Sequence, residues 1–211
     1  MSNAITIAIG ALAQILFSSR IILQWILSEK SRRVLTPLLF WELSLVASFL
    51  LFIYGYLRND FAIMLGQSLT YYIYIRNIQL QKQWKKIHPF LRLFIYIFPV
   101  IIIIYGYNNE RYDINNLFND DTISTPLLFL GIISQLLFTF RFIYQWLYSE
   151  RKKESSLPLG FWVISLLGSG LILIYAVFRL DPILFIGHLI GFTAYARNII
   201  IIKKNNPHSE Q

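Results

Sequence analysis

The sequence predicts an all-α integral membrane protein, seven transmembrane helices arranged as a 3+1+3 parallel repeat of three-helix bundles. Three observations lead there. The 211-residue chain is 56% hydrophobic and only 14% charged, with a mean hydropathy of +0.54, a composition unusual for a soluble domain. It contains seven apolar stretches, each near the ~20 residues that a helix needs to cross a bilayer. One segment of it occurs twice.

The apolar stretches run over 5–27, 37–57, 61–80, 90–107, 126–148, 158–178 and 183–202. The first follows an uncharged Met-Ser-Asn-Ala and runs into polar residues without a small-residue cleavage pattern, so it is expected to be a retained helix and not a signal peptide. Pro37 and Pro158 fall at the first turns of the second and sixth helices, where the missing N–H does no harm. Pro99 falls in mid-span of the fourth and is expected to kink it. Arg58 with Asp60, and Arg179 with Asp181, form Arg-x-Asp turns that read as a cap and ion pair closing a short loop. The stretch 107–125, YNNERYDINNLFNDDTIST, is acidic and polar and reads as a surface loop.

Basic residues set the orientation. Lys30, Arg32, Arg33, Lys82, Lys85, Lys86, Arg92, Arg151, Lys152, Lys153, Lys203 and Lys204 lie on one side of the predicted spans, against Arg58, Arg111 and Arg179 on the other. By the positive-inside rule the N-terminus is expected outside and the C-terminus in the cytoplasm. The net charge of +8 is then a topology signal, and no nucleic-acid partner is expected. With no cysteine in the chain, there is neither a disulfide framework nor a thiolate metal site. Metal-ligand spacing, nucleophile motifs and glycine-rich phosphate loops are absent from the sequence, so neither a metal nor a cofactor is expected.

Shifting the chain by 121 residues aligns 14–77 with 135–198 without a gap, and 25 of those 64 positions are identical. RIILQWILSE (Arg20–Glu29) and RFIYQWLYSE (Arg141–Glu150) are the clearest copies. The predicted organisation is a first three-helix repeat over 1–85, a linker helix with the outer loop over 86–125, a second repeat over 126–203 and a polar tail over 204–211. Three helices is an odd number, so the linker helix is needed to give both repeats one orientation. The copies are then related by an axis along the membrane normal, with the binding place at the repeat interface.

At 100° per residue, Gln14, Arg20, Gln24 and Ser28 share one face of the first helix, and Gln135, Arg141, Gln145 and Ser149 one face of the fifth. Trp41, Ser44 and Ser48 do so on the second, with Trp162, Ser165 and Ser169 on the sixth. Gln67, Thr70, Tyr74 and Asn77 share a face of the third, and His188, Gly191, Tyr195 and Asn198 the matching face of the seventh. Polar groups in a span point inward, since a charge facing lipid is costly. The candidate substrate-binding set is therefore Arg20, Arg141, Gln24, Gln145, Gln14, Gln135, Tyr74, Tyr195, Asn77, Asn198, Gln67, His188, Trp41 and Trp162. Arg20 and Arg141 would fork onto phosphate or carboxylate oxygens; alternatively each glues its own helices together or snorkels to the cytoplasmic surface. His188 stands where the first copy has Gln67 and reads as a hydrogen-bonded structural histidine, a proton-coupling role being the alternative. Arg76 and Arg197, near the cytoplasmic helix ends, are expected to snorkel or meet headgroups, and Glu29 and Glu150 to be solvated or paired with Arg and Lys.

The pattern Ser134-Gln135-x-Leu137-Phe138-x-x-Arg141-Phe142-x-x-Gln145-Trp146-x-x-Ser149-Glu150 is followed by Pro158, Phe161-Trp162, Ser165-Leu166, Tyr175, Asp181-Pro182, Gly187 and Tyr195-Ala196-Arg197-Asn198. With these residues the sequence resembles the lipid A biosynthesis N-terminal domain family, closely over 126–202 and more loosely over 5–80. That resemblance implies a PQ-loop or SWEET-like three-helix plan, and a place beside lipid-A-disaccharide synthase and envelope glycosyltransferases. Two departures are visible: Gly187-His188 where the family often has Gly-Gln, and Asp60-Phe61 where Asp-Pro is usual. The expected function is transport or flipping of an anionic lipid-linked sugar, such as an undecaprenyl-phosphate glycoside, with that lipid or a membrane glycosyltransferase as partner. The alternatives are a SWEET-like carrier of a small soluble sugar or anion and a membrane scaffold for a glycosyltransferase. No enzymatic activity is expected of the chain, because no acid-base pair shares a helix face.

Overall fold

The computed structural model describes residues 3–58, 61–108, 125–180 and 182–205. Among these residues the chain forms seven α-helices, one short 3₁₀ turn and no strand. They are α1 (Asn3–Ser31), α2 (Leu38–Arg58), α3 (Phe61–Leu80), the turn Trp84–Lys86, α4 (Pro89–Asn108), α5 (Thr125–Lys152), α6 (Leu159–Arg179) and α7 (Pro182–Asn205). Each predicted stretch is a helix. α1 and α5 run past their apolar stretches, through Ser31 and Lys152, because their last turns carry Lys30 or Arg151 and Lys152, cations that suit the negative end of a helix. Pro37 and Pro158 stand just before α2 and α6 rather than inside them, and their carbonyls accept the first-turn bonds from Phe40 N and Phe161 N, both 3.0 Å. Pro99 lies inside α4.

The Arg-x-Asp turns, the outer loop and residues 206–211 lie outside the described residues or side chains, as does the side chain of Gln135.

α1, α2, α6 and α7 are long and apolar enough to cross a membrane, and α4 holds a shorter apolar stretch, Pro89–Ile102. In each of the four, more than half of the most apolar window stays on the surface, with Ile15, Leu167, Phe178 and Ile186 among the exposed side chains. Soluble monomers seldom expose apolar surface on that scale.

The chain divides into two compact units, Met1–Phe17 with Trp41–Asp121, and Ser18–Phe40 with Thr122–Gln211. In the first, aromatic rings tie α2 to α4: Phe49 and Phe52 meet Phe98 at 4.4 and 5.9 Å between centroids. Tyr72 donates from α3 to the Tyr96 carbonyl at 2.8 Å, and Gln79 donates to the Tyr96 hydroxyl at 2.6 Å. Ser48 donates across to the Gln67 carbonyl at 3.3 Å. Gly10 admits the Tyr54 ring, which a Cβ would meet at 2.8 Å.

In the second unit, α5, α6 and α7 pack with the C-terminal half of α1. Ser169 donates to the His188 carbonyl at 2.9 Å, the same bond that Ser48 makes in the other copy. The repeat extends to the backbone. Arg32 and Lys153, 121 residues apart, both turn the chain in the left-handed region after their helices, at φ 53° and 55°. No glycine occupies either place, so each carries a local strain of about 1 kcal/mol.

Candidate functional site

The C-terminal half of α1 begins its polar face at Arg20, and α5 places Arg141 at the equivalent turn. Both are buried, at 4% and 7% exposure. They line one cavity together with Ile21, Phe40, Phe161, Trp162 and Tyr195. The space is narrow: about 10 Å³ of it is open to a water-sized sphere, the least that holds one water.

Aromatic rings surround the charges. The Arg141 guanidinium lies 4.3 Å from the Phe138 centroid, 4.8 Å from Phe142, and 5.6 Å from both Phe161 and Tyr195. Arg20 lies 5.1 Å from Phe40 and 5.3 Å from Phe142. Such contacts attract a guanidinium through the ring quadrupole, and more strongly where water is excluded. Arg141 also donates to the Tyr195 hydroxyl at 3.1 Å, which leaves the Tyr195 proton available for an acceptor. Lys and Arg are not equivalent here, since only the planar guanidinium stacks on rings and forks onto an oxyanion at its edge.

Gln24 sits one turn beyond Arg20, fully buried, and spends its amide on three neighbours. Its two amide N–H groups are shared among the Ser28 hydroxyl at 2.8 Å, the Leu35 carbonyl at 3.2 Å and the Asn198 side-chain Oδ1 at 3.0 Å, and its Oε1 accepts from the Asn198 amide at 3.2 Å. Gln145 repeats the pattern, donating to Ser149 at 2.8 Å and to the Ser156 carbonyl at 2.9 Å. Leu35 N and Ser156 N in turn donate to the Ser28 and Ser149 hydroxyls at 3.0 and 3.2 Å. Both glutamines therefore fasten the following loop to the helix, the local consequence of the Gln-x-x-x-Ser spacing. Asn198 also donates to Ala194 O at 2.8 Å, as Asn77 does to Ile73 O at 2.9 Å.

The remaining candidates fall in matched places. Trp162 meets Tyr195 at 6.0 Å and donates to Leu157 O at 3.2 Å; in the other unit Trp41 meets Tyr74 at 6.1 Å. Tyr74, Asn77 and Trp41 are buried there, Gln67 is half-buried and Gln14 is exposed. His188 is half-buried with its ring 5.4 Å from Phe138. Nearer the basic end, Glu29 and Arg197 form a bidentate pair, with Arg197 Nε donating at 2.8 Å, so Arg197 turns to a partner on α1. Glu150 pairs with Lys153 at 2.9 Å.

Sequence reading named Phe138, Phe142 and Phe161 as motif residues without placing them at the site, and did not name Phe40. The available signal was the flanking of Arg141 by Phe138 and Phe142, three residues before and one after.

Among the described residues no group of three or more metal-ligating side chains occurs. The family described as the lipid A biosynthesis N-terminal domain matches residues 9–79 and again 130–200. Relatives named lipid-A-disaccharide synthase occur in Chlamydia caviae, 28% identical over 207 residues, and in Chlamydia pneumoniae, 29% identical over 180. These alignments cover 94% and 83% of this chain but 33% and 30% of the relatives, so the chain spans about a third of their length. The expectation of a non-enzyme is thereby corrected: the curated relatives carry an enzyme's name, and absence of an acid-base pair in a third of their length does not bear on that activity. No solved structure matches the chain.

Proposed function

The chain belongs to the lipid A biosynthesis N-terminal domain family and carries that domain twice, and from this premise we propose that it is a membrane unit that binds and translocates an anionic lipid-linked sugar, such as an undecaprenyl-phosphate glycoside, for lipid A or envelope glycan assembly. The observation that carries the reading is the pair Arg20 and Arg141 on one aromatic-walled cavity. Two permanent charges withdrawn from water favour an oxyanion between them. Tyr195 supplies a hydroxyl donor, and Asn198 and Gln24 stand one turn away.

In this proposal seven helices cross the inner membrane with the N-terminus periplasmic and the basic loops cytoplasmic. Residues 1–85 and 126–203 form parallel PQ-loop or SWEET-like halves about the linker helix, and rocking of the halves alternates access. The narrowness of the cavity supports a closed state that must open to take a headgroup.

The test is flipping of a fluorescent polyprenyl-phosphate sugar in proteoliposomes. Arg20→Ala and Arg141→Ala should each lower the initial rate at least tenfold; wild-type rates in both would remove the site assignment. A second reading, in which the unit presents the lipid to a sugar-transferring enzyme, is favoured by the names of the relatives. It predicts lipid binding without flipping by the purified chain, and co-purification with a glycosyltransferase.

A further inference from the structure

Two of the rings against the arginines follow the sequence repeat. Arg20 and Arg141 each lie against the phenylalanine of their own copy, Phe40 at 5.1 Å and Phe161 at 5.6 Å. Phe142 breaks the pattern. Its counterpart 121 residues earlier is Ile21, which has no ring, and Phe142 itself lies 5.3 Å from the Arg20 guanidinium and 4.8 Å from that of Arg141. It is 3% exposed and held edge-on by Phe161 at 5.5 Å, so its own orientation is set by packing.

A guanidinium is drawn to a ring by the ring's quadrupole, and its five N–H groups lie in its own plane, where they can fork onto an oxyanion. One ring in contact with both arginines makes the orientation of each depend on the other. It also keeps the two Cζ atoms within about 10 Å of each other, since neither is farther from the shared centroid than 5.3 Å. A tetrahedral phosphate, with oxygens pointing in several directions, suits two N–H edges better than a planar carboxylate does.

We propose that Phe142 is the positioning residue of the anion site: it couples Arg20 to Arg141 so that a single phosphate group meets both. This rests on the anion-binding reading above. Phe142 touches the arginines and not the reacting atoms, so its effect passes through the electrostatics of its ring, which can be changed without changing its shape.

The full chain in detergent is titrated calorimetrically with farnesyl phosphate, and Phe142 is replaced in turn by mono-, di- and trifluorophenylalanine. Fluorine drains the negative face of the ring while nearly preserving its volume. Affinity should fall stepwise, about tenfold by the trifluoro form, with the melting temperature unchanged. Phe142→Ile should lose a similar factor and Phe142→Tyr should keep wild-type affinity. Farnesyl carboxylate should bind more weakly than the phosphate to wild type and lose less with fluorination. If wild type binds the phosphate and the fluorine series is flat, the coupling role is overturned and the anion site stands. If wild type does not bind it, the anion site and the role of Phe142 fall together.

Discussion

At Arg141 rings of Phe138, Phe142 and Phe161 lie against the guanidinium, and the Tyr195 hydroxyl accepts one N–H at 3.1 Å. Tyr195→Phe keeps the ring and removes that acceptor. A buried donor that loses its acceptor costs about 1–3 kcal/mol, so the variant should unfold at lower temperature by differential scanning fluorimetry. The same change also removes the hydroxyl that would donate to a bound oxyanion, so phosphate-lipid affinity should fall with it. An unchanged melting point would mean that the Arg141–Tyr195 bond contributes nothing to the fold. Both arginines are legible in the sequence because a charge inside an apolar stretch contrasts with everything near it. Their aromatic setting is not, because Phe142 is one of 17 phenylalanines and an apolar residue in an apolar span shows no contrast. Helical periodicity assigned Gln24 to the right face, but could not tell that its amide would be engaged by Ser28, Leu35 and Asn198.

Between α1 and α7 two contacts of different kinds lie nine or fewer residues along from Arg20. The inner one is the reciprocal Gln24–Asn198 amide pair, with both side chains fully buried. The outer one is the Glu29–Arg197 ion pair, with both side chains more than 40% exposed. Burial decides which matters more. Gln24→Leu leaves the Asn198 amide without its cross-helix partner and strips the Ser28 and Leu35 carbonyl contacts, so a loss of about 1–3 kcal/mol is expected. Adding Asn198→Leu should recover part of it, because two apolar groups then face each other. Glu29→Gln should leave the melting temperature within error of wild type, since exposed ion pairs are screened and entropically costly. Thermal unfolding of the four proteins in one detergent checks the order; a Glu29→Gln loss exceeding that of Gln24→Leu would reverse the assignment. The helices themselves were legible because seven apolar stretches with breakers between them leave few alternatives. Their exact ends were not, because α1 and α5 continue through polar residues that hydropathy discounts.

At the scale of the whole chain, the sequence repeat and the compact unit are different partitions. The unit that contains α5, α6 and α7 also contains Ser18–Phe40 from α1 and the start of α2. Arg20, Gln24 and Glu29 lie on that borrowed segment, and they face the cavity, Asn198 and Arg197 respectively. Residues 125–211 expressed alone therefore keep every helix of the second sequence copy but lose a wall of the arginine cavity, the amide partner of Asn198 and the ion partner of Arg197. Asn198 would then be a polar side chain facing an open seam, and Phe142, Phe161 and Trp162 would lose packing on that side, which together are several contributions of about 1 kcal/mol or more. Against a total stability of about 5–15 kcal/mol, that is a large fraction. The fragment is expected to aggregate or to melt without a cooperative transition, and co-expression with residues 1–108 should restore one close to that of the intact chain. A cooperative transition in the fragment alone, with its midpoint unchanged on adding 1–108, would show that the second copy folds unaided. The outcome follows from where the chain places Arg20: a residue that sequence assigns to one repeat is packed as part of the unit built around the other.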